Sequence, residues 1–267
     1  MEEDIARFGL LEDDAIALDA SALEIAALDH PDVPLEPYVA LLTRVTERLV
    51  DIGSDAHSAG ERAYALVEVI GGEHGFVGDR DTYDDPANAD MIRVIDRRRG
   101  LPVSLAMLYV AAARRMGWSA DVLNTPGHVL ARIGSETEPV LVDAFAGGDI
   151  VDANRLSDLL ARMLGPDATP SKEHLAPMTN RGVLIRLLMN QATRAEARGS
   201  RERALTLFRR MTLIAPSNAH AWWERARLER ASGDVASARA SLSAMLEVTR
   251  DPALRSHIFG ALDAMTG

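Results

Sequence analysis

The sequence predicts an α+β domain, helices first and an antiparallel sheet after, joined to an all-helical repeat domain. Three observations predict it. Apolar residues recur at helical spacing through the first part of the chain, three short β-rich runs follow, and everything beyond Thr179 is helical and repeats itself. The expected division is 1–179 for the first domain, with its N-terminal helices, and 180–267 for the second.

Ile16, Leu18, Leu23, Ile25 and Leu28 mark one helix, and Tyr38, Leu41, Leu42, Val45 and Leu49 mark another. Pro31, Pro34 and Pro37 punctuate the gap between them. A third helix is expected over 60–70. It stops at "GGEHGFVGDRDTYDDPANAD", a polar loop that leads into a short helix near 89–97. The segment 103–116, inside "GLPVSLAMLYVAAARRMGW", reads as a core helix closed by Gly117. Then the pattern changes. "SADVLNT", "HVLARIG" and "PVLVDAF", set apart by turn residues, are the runs of an antiparallel sheet, and a further helix is expected over 154–164.

Beyond Thr179 a shift of 34 residues superposes Leu188 on Trp222, Ala192 on Ala226, Gly199 on Gly233, Ala204 on Ala238, Phe208 on Leu242 and Met211 on Met245. That interval is the tetratricopeptide period, with small residues where two helices cross and a Gly at the turn. About two repeats and a terminal helix over 252–265 are expected.

Composition narrows the function. The chain is 47% hydrophobic and 26% charged, as soluble globular proteins are. Its longest apolar run, 101–113, is too short to span a bilayer. The acidic start "MEEDIARFGLLEDD" differs from a secretory signal, so a cytoplasmic location is expected. There are no cysteines, which excludes disulfides, thiolate metal sites and a cysteine nucleophile. Residues 1–180 carry 15 basic and 32 acidic side chains, whereas 181–267 carry 14 and 8. The acidic front part argues against nucleic acid as partner, and the basic tail favours an acidic one.

Ser104, His128 and Asp143 stand out as candidate catalytic residues. Ser104 opens the core helix, where the dipole and free N–H groups would favour an anion; His128 opens one strand and Asp143 ends the next. A His and an Asp so placed can pair and orient the imidazole. Other signals are weaker. Asp79, Asp81, Tyr83, Asp85 and Asp90 have a calcium-loop spacing without its central Gly, "GGEHGFVG" lacks the Lys of a phosphate loop, and no close His pairing supports a metal. No cofactor is expected. Trp222 falls on a repeat core position, and Arg194, Arg198, Arg201, Arg225 and Arg227 could form a basic surface for an acidic peptide or protein.

"FVGDRDTYDDPANADMIRVIDRRRGLPVSLAMLYVAAARRMGWSADVLNTPGHVLARI", followed by "VLVDAFAGG", resembles the SirB family of bacterial transglutaminase-like proteins, which carry C-terminal tetratricopeptide repeats. The resemblance runs from about Ala59 to the end. It implies a papain-like α+β fold and, by context, places His128 and Asp143 in the last two positions of a Cys-His-Asp triad. Where the Cys would stand the sequence offers Pro102 and, two residues on, Ser104. The expectation is therefore a non-catalytic interaction or regulatory protein. Two alternatives stay open: a hydrolase or acyltransferase using Ser104, His128 and Asp143, and a module binding a small molecule or peptide in the retained cleft.

Overall fold

A computed structural model of the chain describes residues 2–165 and 171–265, which divide into two compact units, one of 16–184 and one of 1–15 with 185–267. The chain opens with a short helix, α1 (Glu2–Ala6), of the second unit. The first unit begins with α2 (Leu18–Ala27), α3 (Glu36–Gly53) and α4 (Ala59–Leu66), the last continued by a π-helical turn, Val67–Glu73. Each of the last two starts where the sequence offers a start. Pro37 lies in the first turn of α3, and Ser58 and Glu61 form a capping box on α4, each side chain accepting from the other's backbone N–H.

A parallel pair two residues long, β1 (Val77–Gly78) with β2 (Arg99–Gly100), brackets the acidic loop and α5 (Met91–Arg97). Then comes α6 (Pro102–Arg115), with Pro102 at its start and every residue from Pro102 to Ala113 buried. A helix buried on all sides is the centre of a layered core. Gly117, at φ 71°, ends it as the sequence predicts.

The sheet follows in chain order, β3 (Ala120–Leu123), β4 (Leu130–Ile133), β5 (Val140–Asp143) and β6 (Asp149–Ile150), all neighbours antiparallel. Its register pairs Ala131 with Val122 and Val142, and Ile133 with Ala120 and Val140. Those residues share one face by the two-residue period of a strand, and α6 packs on β3 and β4. Leu123, Leu130 and Leu141 form a separate cluster with Leu156 and Leu160 of α7 (Ala153–Leu164). The outer edge of β3 is covered by the later chain: Met178 N–H donates to Val122 O and Asn124 N–H to Ala176 O.

The second unit is helical: α8 (Asn180–Ala197, begun in the first unit), α9 (Arg201–Ile214), α10 (Ala219–Ala231), α11 (Val235–Val248) and α12 (Pro252–Asp263). Starts and ends of α9 and α11 are each 34 residues apart, and the Gly199 and Gly233 turns have φ of 75° and 86°. Ala192 and Ala226, Ala204 and Ala238, Phe208 and Leu242, and Met211 and Met245 are buried in both copies. Trp222 is only half-buried, its Nε1–H donating to Pro216 O at 2.8 Å. Residues 1–15, expected with the first domain, instead group here. Ile5 and Phe8 are buried, α1 packs on α9, and a Cβ on Gly9 would meet the Leu213 carbonyl at 2.6 Å.

Candidate functional site

Because β4 and β5 are antiparallel with Ala131 opposite Val142, the residues leading into β4 and the end of β5 reach the same edge of the sheet. There His128 Nε2 lies 2.9 Å from Asp143 Oδ1. Local sequence sets both groups. Pro126 and Gly127 occupy the corner of a turn closed by His128 N–H donating to Thr125 O at 3.0 Å, and Gly127 supplies its φ of 69°. Asp143 caps the short turn Ala144–Ala146, Oδ1 accepting from Ala146 N–H at 3.1 Å, while Oδ2 faces Arg155 at 3.5 Å.

Burial pushes the Asp143 pKa up, but the hydrogen bond and charge of His128, with the Ala146 N–H and Arg155, bring it below the ordinary carboxylate range. An ionised carboxylate can only accept, so the proton shared with His128 sits on Nε2 and leaves Nδ1 as the ring's available nitrogen. Tyr109 of α6 is fully buried, its hydroxyl without a hydrogen-bond partner among the described residues and close to the backbones of Gly71 and Gly148. Burial first, then the Asp143 charge, push its pKa up and keep it neutral.

The pair borders an open cavity of about 450 Å³. Phe145, Leu159 and Met163 supply apolar wall; Arg80, Arg155 and Arg162 supply cations. The Phe145 ring stands edge-on to His128 at 6.4 Å and to Tyr83 at 5.8 Å. Sequence reasoning missed these arginines. The signal was present for two of them: Arg155, Leu159, Arg162 and Met163 recur at i, i+4, i+7 and i+8 of α7, one face of a helix whose Leu156 and Leu160 point into the core. Arg80 carries no comparable pattern.

Ser104 is not part of this arrangement, which corrects its assignment as nucleophile. It is 0% exposed, does not line the cavity, and its Oγ donates to the Asn88 carbonyl at 2.7 Å. Asn88 is the hub of the acidic loop: its carbonyl also accepts Leu101 N–H, its Nδ2 donates to Thr82 O, and its Oδ1 accepts from Arg97. On a helix buried all round, a place in the first turn does not say which way a side chain points. Ser104→Ala is expected to cost about 1 kcal/mol, the net worth of one neutral hydrogen bond, in a urea unfolding experiment.

Of the carboxylates with calcium-like spacing, Asp79, Asp85 and Asp90 serve turns and a helix start, while the exposed Asp81 lies 3.8 Å from Arg99. Asp79 accepts from Thr82 and Arg97, Asp85 caps the turn at Pro86, and Asp90 caps α5 and meets His30 Nε2 at 2.7 Å. In the helical unit Arg225 binds Glu229 at 2.9 Å, Arg227 binds Glu224 and Glu196, and Arg194 reaches Asn190. The basic surface expected there is thus largely engaged within its own unit.

A family model described as the transglutaminase-like superfamily matches residues 36–189. A UPF0162 protein of Xylella fastidiosa is 28% identical over 241 residues, covering 89% of this chain and 86% of the relative. A UPF0162 protein of Pseudomonas aeruginosa is 30% identical over 239 residues, covering 88% and 86%. F-box only protein 21 of Pongo abelii is 36% identical over 109 residues, 41% of this chain and 17% of that one.

Proposed function

The chain belongs to the transglutaminase-like superfamily, and from that premise we propose that it is a binding or regulatory protein that has kept the superfamily's cleft without its acyl-transfer chemistry. One observation carries the reading. The His128–Asp143 pair is intact at an open cavity, while the sequence has no cysteine and the hydroxyl best placed to replace it, Ser104, is hydrogen-bonded inside the core. An imidazole oriented by a carboxylate is half of a nucleophile-activating device; without the nucleophile it is a polar binding wall.

The helical unit belongs to the same reading. Its 34-residue recurrence supports a SirB-type tetratricopeptide module that recruits a protein partner in the cytoplasm. An acidic peptide is the partner its arginines favour, and it would compete with the Glu196, Glu224 and Glu229 pairs for Arg225 and Arg227.

An active-site-directed fluorophosphonate tests the non-catalytic reading. The wild-type protein is expected to remain unlabelled. Labelling that disappears in Ser104→Ala would restore the hydrolase alternative.

A further inference from the structure

The cavity beside His128 has a charge that contrasts with its surroundings. Residues 1–180 carry a net charge of −17, and several arginines elsewhere in the first unit are answered by carboxylates, Arg97 by Asp79, Arg115 by Asp19 and Arg132 by Asp121, each at 2.6 Å. Arg62 donates instead to the Ala56 carbonyl, and Arg98 Nη1 is buried with no partner among the described residues. The cavity differs. Arg80 and Arg162 line it with no carboxylate partner among the described residues, and Arg155 is shared between Asp149 at 2.7 Å and Asp143 at 3.5 Å. Asp143 is the one carboxylate among the lining residues, and its oxygens already accept from His128, Ala146 and Arg155. Three guanidinium groups therefore face one committed carboxylate. Two lining cations, Arg80 and Arg162, without a carboxylate partner among the described residues suit an anionic occupant.

The rest of the lining describes the other end of the occupant. Phe145, Leu159, Met163 and Pro126 give an apolar wall next to the cations, and about 450 Å³ is within the range of small-molecule clefts. Guanidinium groups pair with carboxylates through two parallel N–H···O bonds, and the Asp143 charge in the same cavity works against a dianion.

We propose that this cavity binds a monoanionic carboxylate with an apolar body, Arg80 and Arg162 holding the carboxylate and Phe145, Leu159 and Met163 covering the apolar part. The source is a free small acid or the C-terminal carboxylate of a peptide; the chemistry is the same. The proposal rests on the non-catalytic reading of the cleft, and the test separates the two.

The full-length protein is titrated with 4-phenylbutyrate and, separately, with its primary amide, following histidine ring resonances by NMR, with His128 assigned from a His128→Gln variant. The acid is expected to shift the His128 resonance at millimolar concentrations and the amide to leave it unmoved. Arg80→Gln and Arg162→Gln should each weaken acid binding about tenfold, equivalent to about 1.4 kcal/mol. Arg93→Gln, which removes the same charge from an exposed α5 residue paired with Asp96, should change it little. Acetyl-glycyl-phenylalanine with a free or an amidated C-terminus forms the second arm. Tighter binding of that free acid than of phenylbutyrate assigns the site to a chain terminus, and weaker binding assigns it to a small acid.

The proposal is overturned if the acid does not bind, if acid and amide bind alike, if Arg93→Gln weakens binding as much as the cavity variants, or if inorganic phosphate binds more tightly than the acid. Conversion of the amide to the acid in the tube would instead overturn the non-catalytic reading and leave the carboxylate site standing.

Discussion

Asp79→Ala is expected to destabilise the protein by about 3 kcal/mol, enough to shift a urea midpoint clearly, because it removes one buried acceptor from several donors. Asp79 is 1% exposed, and its carboxylate takes the Thr82 N–H at 2.8 Å, the Thr82 hydroxyl at 2.6 Å and Arg97 at 2.6 Å. Without it, Arg97 keeps Asn88 Oδ1 at 3.0 Å and a long contact to the Thr82 hydroxyl at 3.5 Å, and the loop before α5 loses the bonds that fold it back. Its neighbour Arg80 then has no fixed place at the cavity, so the same variant should weaken carboxylate binding.

Acid gives an independent check on that substitution. Burial pushes the Asp79 pKa up, but Thr82, Arg97 and Asn88 hold it well below the usual carboxylate range. The native state therefore binds its proton less readily than the unfolded chain does. The stabilisation is complete at neutral pH and is lost as pH falls below about 4, the unfolded value, toward the lower folded one. Wild-type stability should decline across that window and the Asp79→Ala protein should decline less. Parallel curves would mean that Asp79 contributes nothing through its charge. A residual slope is expected from Asp143, whose pKa is also lowered.

What could be read in the sequence follows from what acts locally. Pro102 at one end and Gly117 at the other bound α6, and the three β-rich runs fall on β3, β4 and β5, because caps, breakers and alternation are properties of neighbouring residues. The 34-residue interval is visible for the same reason. The pairing of His128 with Asp143 was legible as two strand ends needing only an antiparallel register to meet. Elements that depend on distant partners were not. β1 and β2 are two residues each and exist only through each other, and α1 finds its partner α9 some 200 positions away. Ser104 failed for a different reason: an apolar helix buried on every side leaves no face for periodicity to identify. The cavity arginines are hidden because an exposed Arg looks alike whether or not a carboxylate answers it.

Gly78→Ala is expected to couple the fold to the cavity more directly than any change at the dyad. A Cβ at Gly78 would lie 2.4–2.5 Å from three atoms of the Phe145 ring. The strand cannot easily retreat, since Val77 N–H donates to Arg98 O, Asp79 N–H donates to Gly100 O, and Gly78 is in register with Gly100. The ring must move, and with it the surface it presents to His128 and Tyr83. Overpacking of this kind costs about 1–3 kcal/mol. A double-mutant cycle isolates the cause: in a Phe145→Leu background the smaller, flexible side chain gives way, and Gly78→Ala should cost much less. Additive effects would place the strain elsewhere. If the ring is displaced into the cavity, 4-phenylbutyrate affinity should fall in Gly78→Ala while Arg80 and Arg162 remain in place, which separates the loss of apolar wall from the loss of charge.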